Sequence, residues 1–183
     1  MSIHTELNRR VQEGRLSLLQ PALESDPVRR HMYISSEIRS VLDGLDDTAA
    51  CRARAMVLQA ELERFVRGDH VGVCLRPYKA AEAEFGRLDP PHDEVWDFRA
   101  VNRPALRIFG RFAERDVFVA LTCWPRSRAI SWLARPPLAD RSSKAFRDAI
   151  SDCKAQWRAL FHTYPPHKGE FENDYISENI VAI

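Results

Sequence analysis

Apolar residues recur at helical spacing through the first third of the chain and at strand spacing through its middle. Ile3, Leu7, Val11 and Leu18 mark one amphipathic helix, and Ile34, Ile38, Val41, Leu42 and Leu45 mark a second. The stretch "LQPALESDP" separates them. Ser35 or Ser36 can cap the second helix, and Gly44 stands near its end. A third helix, 48 to 67, opens at Asp47 or Thr48, buries Cys51, Ala55, Leu58, Leu62 and Phe65, and stops at Gly68.

From residue 70 the pattern shortens into runs rich in Val, Phe, Ile and Trp. "HVGVCL" (70 to 75), "EVWDFRA" (94 to 100), "ALRIFGRF" (105 to 112) and "VFVALTCW" (117 to 124) read as strands, and "AISWLA" (129 to 134) as a last one. The last two of those four form a hairpin across the turn "AERD". Asp140 to Ser143 then cap a helix to about 162, with Phe146, Ala149, Ile150, Cys153, Trp157, Leu160 and Phe161 on its buried face. The tail "EFENDYISENIVAI" covers a sheet edge or docks a partner. The expected fold is α+β: three N-terminal helices, an antiparallel sheet of four to five strands, and a C-terminal helix. Residues 1–68 are expected to form the helical segment and 69–183 the sheet domain, together one compact unit.

Arginines stand at 99, 103, 107, 111 and 115, every fourth position. Pro104 forbids one helix through the series, because its missing N–H and its ring cost about 3 kcal/mol in a helix interior. On a strand a four-residue spacing also keeps residues on one face, so Arg107 and Arg111 share a sheet face. The position of Arg99 and Arg103 beside them depends on register, which the sequence leaves open.

With 27 Lys+Arg against 26 Asp+Glu, the net charge of +1 excludes a generically basic nucleic-acid binder, and any polyanion site must be a local patch. Cys51, Cys74, Cys123 and Cys153 are far apart, with no C-x-x-C pair and no zinc spacing, and read as reduced core thiols. No apolar stretch reaches membrane length, which with the lack of a leader-like N-terminus points to a cytoplasmic protein without a membrane partner. No P-loop, dinucleotide fingerprint or G-x-S-x-G is present, so neither cofactor nor metal is expected.

Residues 93 to 128, "DEVWDFRAVNRPALRIFGRFAERDVFVALTCWPRSR", resemble the RelE/HigB-type toxin superfamily in their order of strands and cations. With the following "RPPLADRSSKAFRDAISDCK", the resemblance covers residues 76 to 152. It implies a metal-independent endoribonuclease acting on ribosome-bound mRNA, in which a 2′-hydroxyl attacks the adjacent phosphate while cations stabilise the developing charge. A preorganised donor of that kind contributes about 2.7–4 kcal/mol. By position, the resemblance implies Arg107, Arg111, Arg126 and Arg128 as catalytic cations and His92 as the proton-transfer candidate. Arg99, Lys79, Tyr78 and Trp124 would bind substrate. The chain departs from the family in its length, in Arg where a Lys pair is usual, and in Trp124-Pro125 where a Gly-Phe is usual.

Each of these residues also has a plainer explanation. An Arg alternating with apolar residues commonly marks the solvated face of an amphipathic strand, and four scattered tryptophans are commonly core residues. The alternative function is a catalytically inactive protein-binding or inhibitory module on the same sheet, its partner an antitoxin or other target protein.

Overall fold

The computed structural model describes residues 2–44, 48–76, 83–126, 133, 135–138 and 140–183. It begins with α1 (Ile3–Gln12), capped by the Ser2 hydroxyl, which accepts from the Thr5 amide. The helix stops at Gln12, and Leu18 lies instead in a short strand, β1 (Leu16–Leu18). Ile34 is likewise extended, in β2 (His31–Ser35), and α2 is confined to Ser36–Leu42. Ser35 is the junction between strand and helix. Its Oγ accepts from the Ile38 amide at 3.3 Å and donates to the Leu121 carbonyl at 2.6 Å.

Helix α3 (Ala49–Arg67) follows the sequence expectation closely. Thr48 caps it, and Gly68 ends it at φ +82°, a left-handed conformation that glycine adopts without steric cost. The strands β3 (Val71–Cys74), β5 (Trp96–Ala100), β6 (Leu106–Glu114) and β7 (Val117–Pro125) lie where alternation places them. A further strand, β4 (Phe85–Arg87), precedes a 3₁₀ turn at Pro91–Asp93. Helix α4 (Lys144–Leu160) is capped by Ser143, and after it come the one-turn α5 (Glu172–Tyr175) and β8 (Ile180–Ala182).

These strands form one mixed sheet in the order β1-β2-β7-β6-β5-β4-β3-β8. The pairs β2/β7, β3/β4 and β3/β8 are parallel, and the rest are antiparallel. This corrects the expected four- to five-stranded antiparallel sheet behind three N-terminal helices. The physical reason lies in the four-residue spacing of Ile34 and Ile38, which is compatible with one face of a helix and equally with a strand that turns into a helix. The added strands β1, β4 and β8 have three residues each, too few for alternation to register. The expected strand at 129–134 falls almost wholly outside the described residues.

Both faces of the sheet are covered. Ile38 and Val41 of α2 and Leu58, Leu62, Phe65 and Val66 of α3 pack on Phe85, Phe98, Ile108, Phe112 and Phe118. On the other face Leu7 of α1 and Phe146, Ala149, Cys153 and Trp157 of α4 pack on Phe109, Val119 and Leu121. The tail takes the first of its two expected roles, since β8 adds to the edge of β3. The buried Arg30 anchors it, donating to the carbonyls of Asp69 at 3.0 Å and Glu178 at 2.7 Å.

Candidate functional site

The ladder between β5 and β6 pairs Arg99 with Arg107, and the ladder between β6 and β7 pairs Arg107 with Trp124. Directly opposed residues share a face. Arg99, Arg107 and Trp124 therefore form a row across three strands, spanning two strand spacings or roughly 10 Å. Their neighbours Phe98, Ala100, Leu106 and Ile108 belong to the opposite, α3-side core. The row consequently lies on the α4 side of the sheet, together with Asp97, which is opposed to Phe109.

Asp97 is fully buried and is the centre of the cluster. Arg107 donates through Nη1 to Asp97 Oδ2, and Arg99 donates through Nε to the same oxygen at 3.4 Å. Among the described residues, Asp97 is the one hydrogen-bond partner of either guanidinium. Each guanidinium has five N–H donors, so most of those on Arg99 and Arg107 have no partner there. Two further polar atoms in the same neighbourhood are buried without a hydrogen bond: Asp97 Oδ1 and Trp124 Nε1.

Charge in this row is unbalanced. Arg107 is held well below the usual arginine value, at about 10, first by burial and then by the like charges of Arg99 and Arg126, against the attraction of Asp97. Arg126 donates to the Leu138 carbonyl at 2.8 Å and is itself exposed. Arg99 and Arg107 share the one carboxylate of Asp97, which leaves a net positive charge in the pair, and buried charge without compensation is costly. An oxyanion accepting from Arg99 and Arg107 would supply what the pair lacks.

Gly86 lets the strand β4 approach this cluster closely. It is opposed to Asp97 in the β4/β5 ladder, and a Cβ there would stand 2.8 Å from Asp97 Oδ1 and 2.8 Å from Arg99 Nη2. Solvent access runs past Arg107, whose side chain is 18% exposed against 3% for Arg99 and 1% for Asp97.

The residues expected to act together are divided. Arg99, Arg107 and Trp124 are adjacent, and Arg126 acts electrostatically on Arg107. Arg111 shares the face of Arg107, as expected, but is covered by α4: its guanidinium lies 5.7 Å from the Trp157 ring and donates to the Asp93 carbonyl. His92 is on the 3₁₀ turn with its side chain 79% exposed, 3.9 Å from Asp93. Tyr78, Lys79 and Arg128 lie outside the described residues. Trp124 carries Arg135 over its ring at 4.7 Å, so one of its faces is already occupied by a cation.

Sequence reasoning passed over Asp97, although a signal existed. In "WDFRA" Asp97 and Arg99 stand two apart, which puts an acid and a base on one strand face inside an otherwise apolar run. Among the described residues no group of three or more His, Cys, Asp or Glu gathers to hold a metal, and no helix is long and apolar enough to cross a membrane. In comparisons with known proteins, the chain matches no family model, no curated protein and no solved structure.

Proposed function

We propose that this protein binds RNA, holding a backbone phosphate between Arg99 and Arg107. The observation that carries the reading is the pair of largely buried guanidiniums with most of their donors unpartnered, converging on a single carboxylate oxygen. Arginine is suited to this because its planar fork matches two oxygens of one phosphate. Burial strengthens the contact by lowering the local dielectric. The RelE/HigB resemblance, which rests on the residues quoted above, supplies the same polymer.

The reading is one of binding, with cleavage left aside. Arg111 is engaged under α4, and His92 is turned to solvent beside Asp93, so the expected catalytic set does not converge on one phosphate. The test is fluorescence anisotropy with a labelled single-stranded RNA over a range of salt. Arg107→Ala weakens binding alike for all sequences and reduces the salt slope by about 1, as loss of one phosphate contact does. Unchanged affinity and slope would contradict the reading.

A second reading, a protein-binding module, draws on a different surface. Phe171, Val181 and Ile183 are exposed apolar residues, and Phe171 and Ile183 line a cleft of about 700 Å³ together with Leu75 and Arg87. Absence of RNA binding even at low salt would move the weight to that surface.

A further inference from the structure

We infer that this chain self-associates by pairing β8 antiparallel with the β8 of a second copy, about a two-fold axis that passes beside Val181. The inference goes beyond the RNA-binding reading and does not depend on it. The sheet ends in β1 on one side and β8 on the other. β1 is sheltered: Leu16 is buried in the cluster that includes Leu7 of α1, and Ser17 and Leu18 are half-buried. β8 is bare, with Val181 52% and Ile183 43% exposed and no charged residue or proline from Ile180 to Ile183. An apolar edge without those blunting devices is a template for another strand.

The backbone shows which groups are open. The Val71 amide donates to the Asn179 carbonyl and the Ile183 amide to the Val73 carbonyl, so the odd-numbered residues of this stretch bond to β3. Successive backbone groups point to opposite sides of a strand, which directs the N–H and C=O of Ile180 and Ala182 outward. With Val181 facing the second copy's Val181, Ile180 of each copy faces Ala182 of the other. Such a pair exchanges both of its bonds, so every outward group of β8 is satisfied. A slip of two residues in either direction leaves Ile180 or Ala182 without a partner inside β8.

Side chains and charge agree with this register. Ile180 packs on the α3-side core, so Val181 and Ile183 project from the opposite face. Within the chain Val181 stands beside Gly72, which offers it no side chain. Two valines opposed at a non-hydrogen-bonded position, with Cα atoms about 4.5 Å apart, cover one another. The cleft lined by Ala182 and Ile183 also carries Arg76, Glu170 and Glu172. Among the described residues these three side chains make no ion pair. A patch with unpaired charges of both signs beside a two-fold axis is complementary to itself, as an interface between identical surfaces requires, and this favours a second copy over an unrelated strand.

The experiment is sedimentation velocity of this chain at about 1–300 μM, the range in which small interfaces associate. The mass rises from 21.0 kDa toward twice that value. Ala182→Pro removes an outward N–H and keeps the bonds of Val181 and Ile183 to β3, and Val181→Lys sets like charges opposite each other. Each weakens association about tenfold or more with an unchanged circular dichroism spectrum. Register is read by oxidation with diamide, since the native cysteines are buried. Val181→Cys cross-links two copies, its Cα spacing lying within disulfide reach. Ile183→Cys does not, because the two copies of position 183 stand about 13 Å apart along the strands. A chain that stays monomeric throughout would overturn the inference and leave the edge to a strand of another protein. Cross-linking of Ile183→Cys as readily as Val181→Cys, or dimers unaffected by Ala182→Pro, would overturn it as well.

Discussion

Removing Asp97 and removing Arg107 should have opposite consequences for stability, although the two side chains are bonded to each other. Asp97 is the only carboxylate that hydrogen-bonds either Arg99 or Arg107 among the described residues. Asp97→Ala leaves two buried like charges facing each other, and taking one partner out of a buried pair costs about 3–5 kcal/mol. For a chain of this size each kcal/mol corresponds to about 2–4 °C, so the midpoint falls by on the order of 10 °C. Arg107→Met instead leaves one Arg99–Asp97 pair and retains most of the alkyl packing. The depression of Arg107 from the ordinary arginine value to about 10 corresponds to roughly 3 kcal/mol of unfavourable charging in the folded state. Its side chain is 18% exposed, and screening reduces that figure. The methionine variant should therefore match the wild type or exceed it by about 1–2 kcal/mol.

The sign with pH follows. Arg107 has its folded value below its unfolded value, so its charge destabilises the fold wherever both states are protonated, below about 10. Above about 10 the native state releases the proton before the unfolded state does, and the wild type recovers relative to Arg107→Met. Urea unfolding followed by circular dichroism at neutral pH and near pH 10 measures both effects. A loss in Arg107→Met as large as that in Asp97→Ala would refute the reasoning, because Arg107 would then be a stabilising partner in place of an underused cation.

Other substitutions probe the supports of the site. Gly86→Ala puts a Cβ 2.8 Å from both Asp97 Oδ1 and Arg99 Nη2; it should weaken RNA binding and destabilise the fold by about 1–3 kcal/mol, read by anisotropy and urea unfolding. Arg54 donates to the carbonyls of Pro104 at 2.8 Å and Ala100 at 3.4 Å and pairs with Glu61, which ties the β5–β6 turn to α3. Arg54→Met should accordingly cost about 3–5 kcal/mol by leaving Glu61 without its cation and the turn carbonyls without their side-chain donor, again measured in urea. Tyr175 donates to Glu94 at 2.6 Å and accepts from the Gly169 amide at 2.8 Å, while burial and then that bond to Glu94 push its phenol up to about 12. Tyr175→Phe should lose about 1–3 kcal/mol at neutral pH. The contribution of the phenol is complete below the ordinary value of 10 and disappears as pH rises through about 12.

What the sequence revealed follows how strongly each stretch constrains its own backbone. Helix α3 was legible at both ends because Thr48 and Gly68 are local signals, and β6 and β7 were legible because nine residues each give alternation room to show. The strands β1 and β8 were not, since three residues carry no period, and their pairing depends on partners distant in the chain. The arginine face illustrates a different limit. Alternation correctly put Arg107 and Arg111 on one side of β6, but read that side as one that water or a ligand would reach. Phe109 between them is fully buried, 5.6 Å from Phe146 in an edge-on contact, because the apolar stripe of α4 packs there. The role of Asp97 was hidden for a related reason: its partner Arg107 lies across a turn containing Pro104, and register across that turn is a tertiary property.

The most direct test of the account is the affinity of the wild-type protein and Arg107→Ala for one labelled single-stranded RNA, measured by anisotropy across a salt series. The account predicts binding that weakens with salt, with Arg107→Ala weaker throughout and its slope of log affinity on log salt shallower by about 1. Identical curves for the two proteins, or no binding by the wild type at low salt, would contradict it.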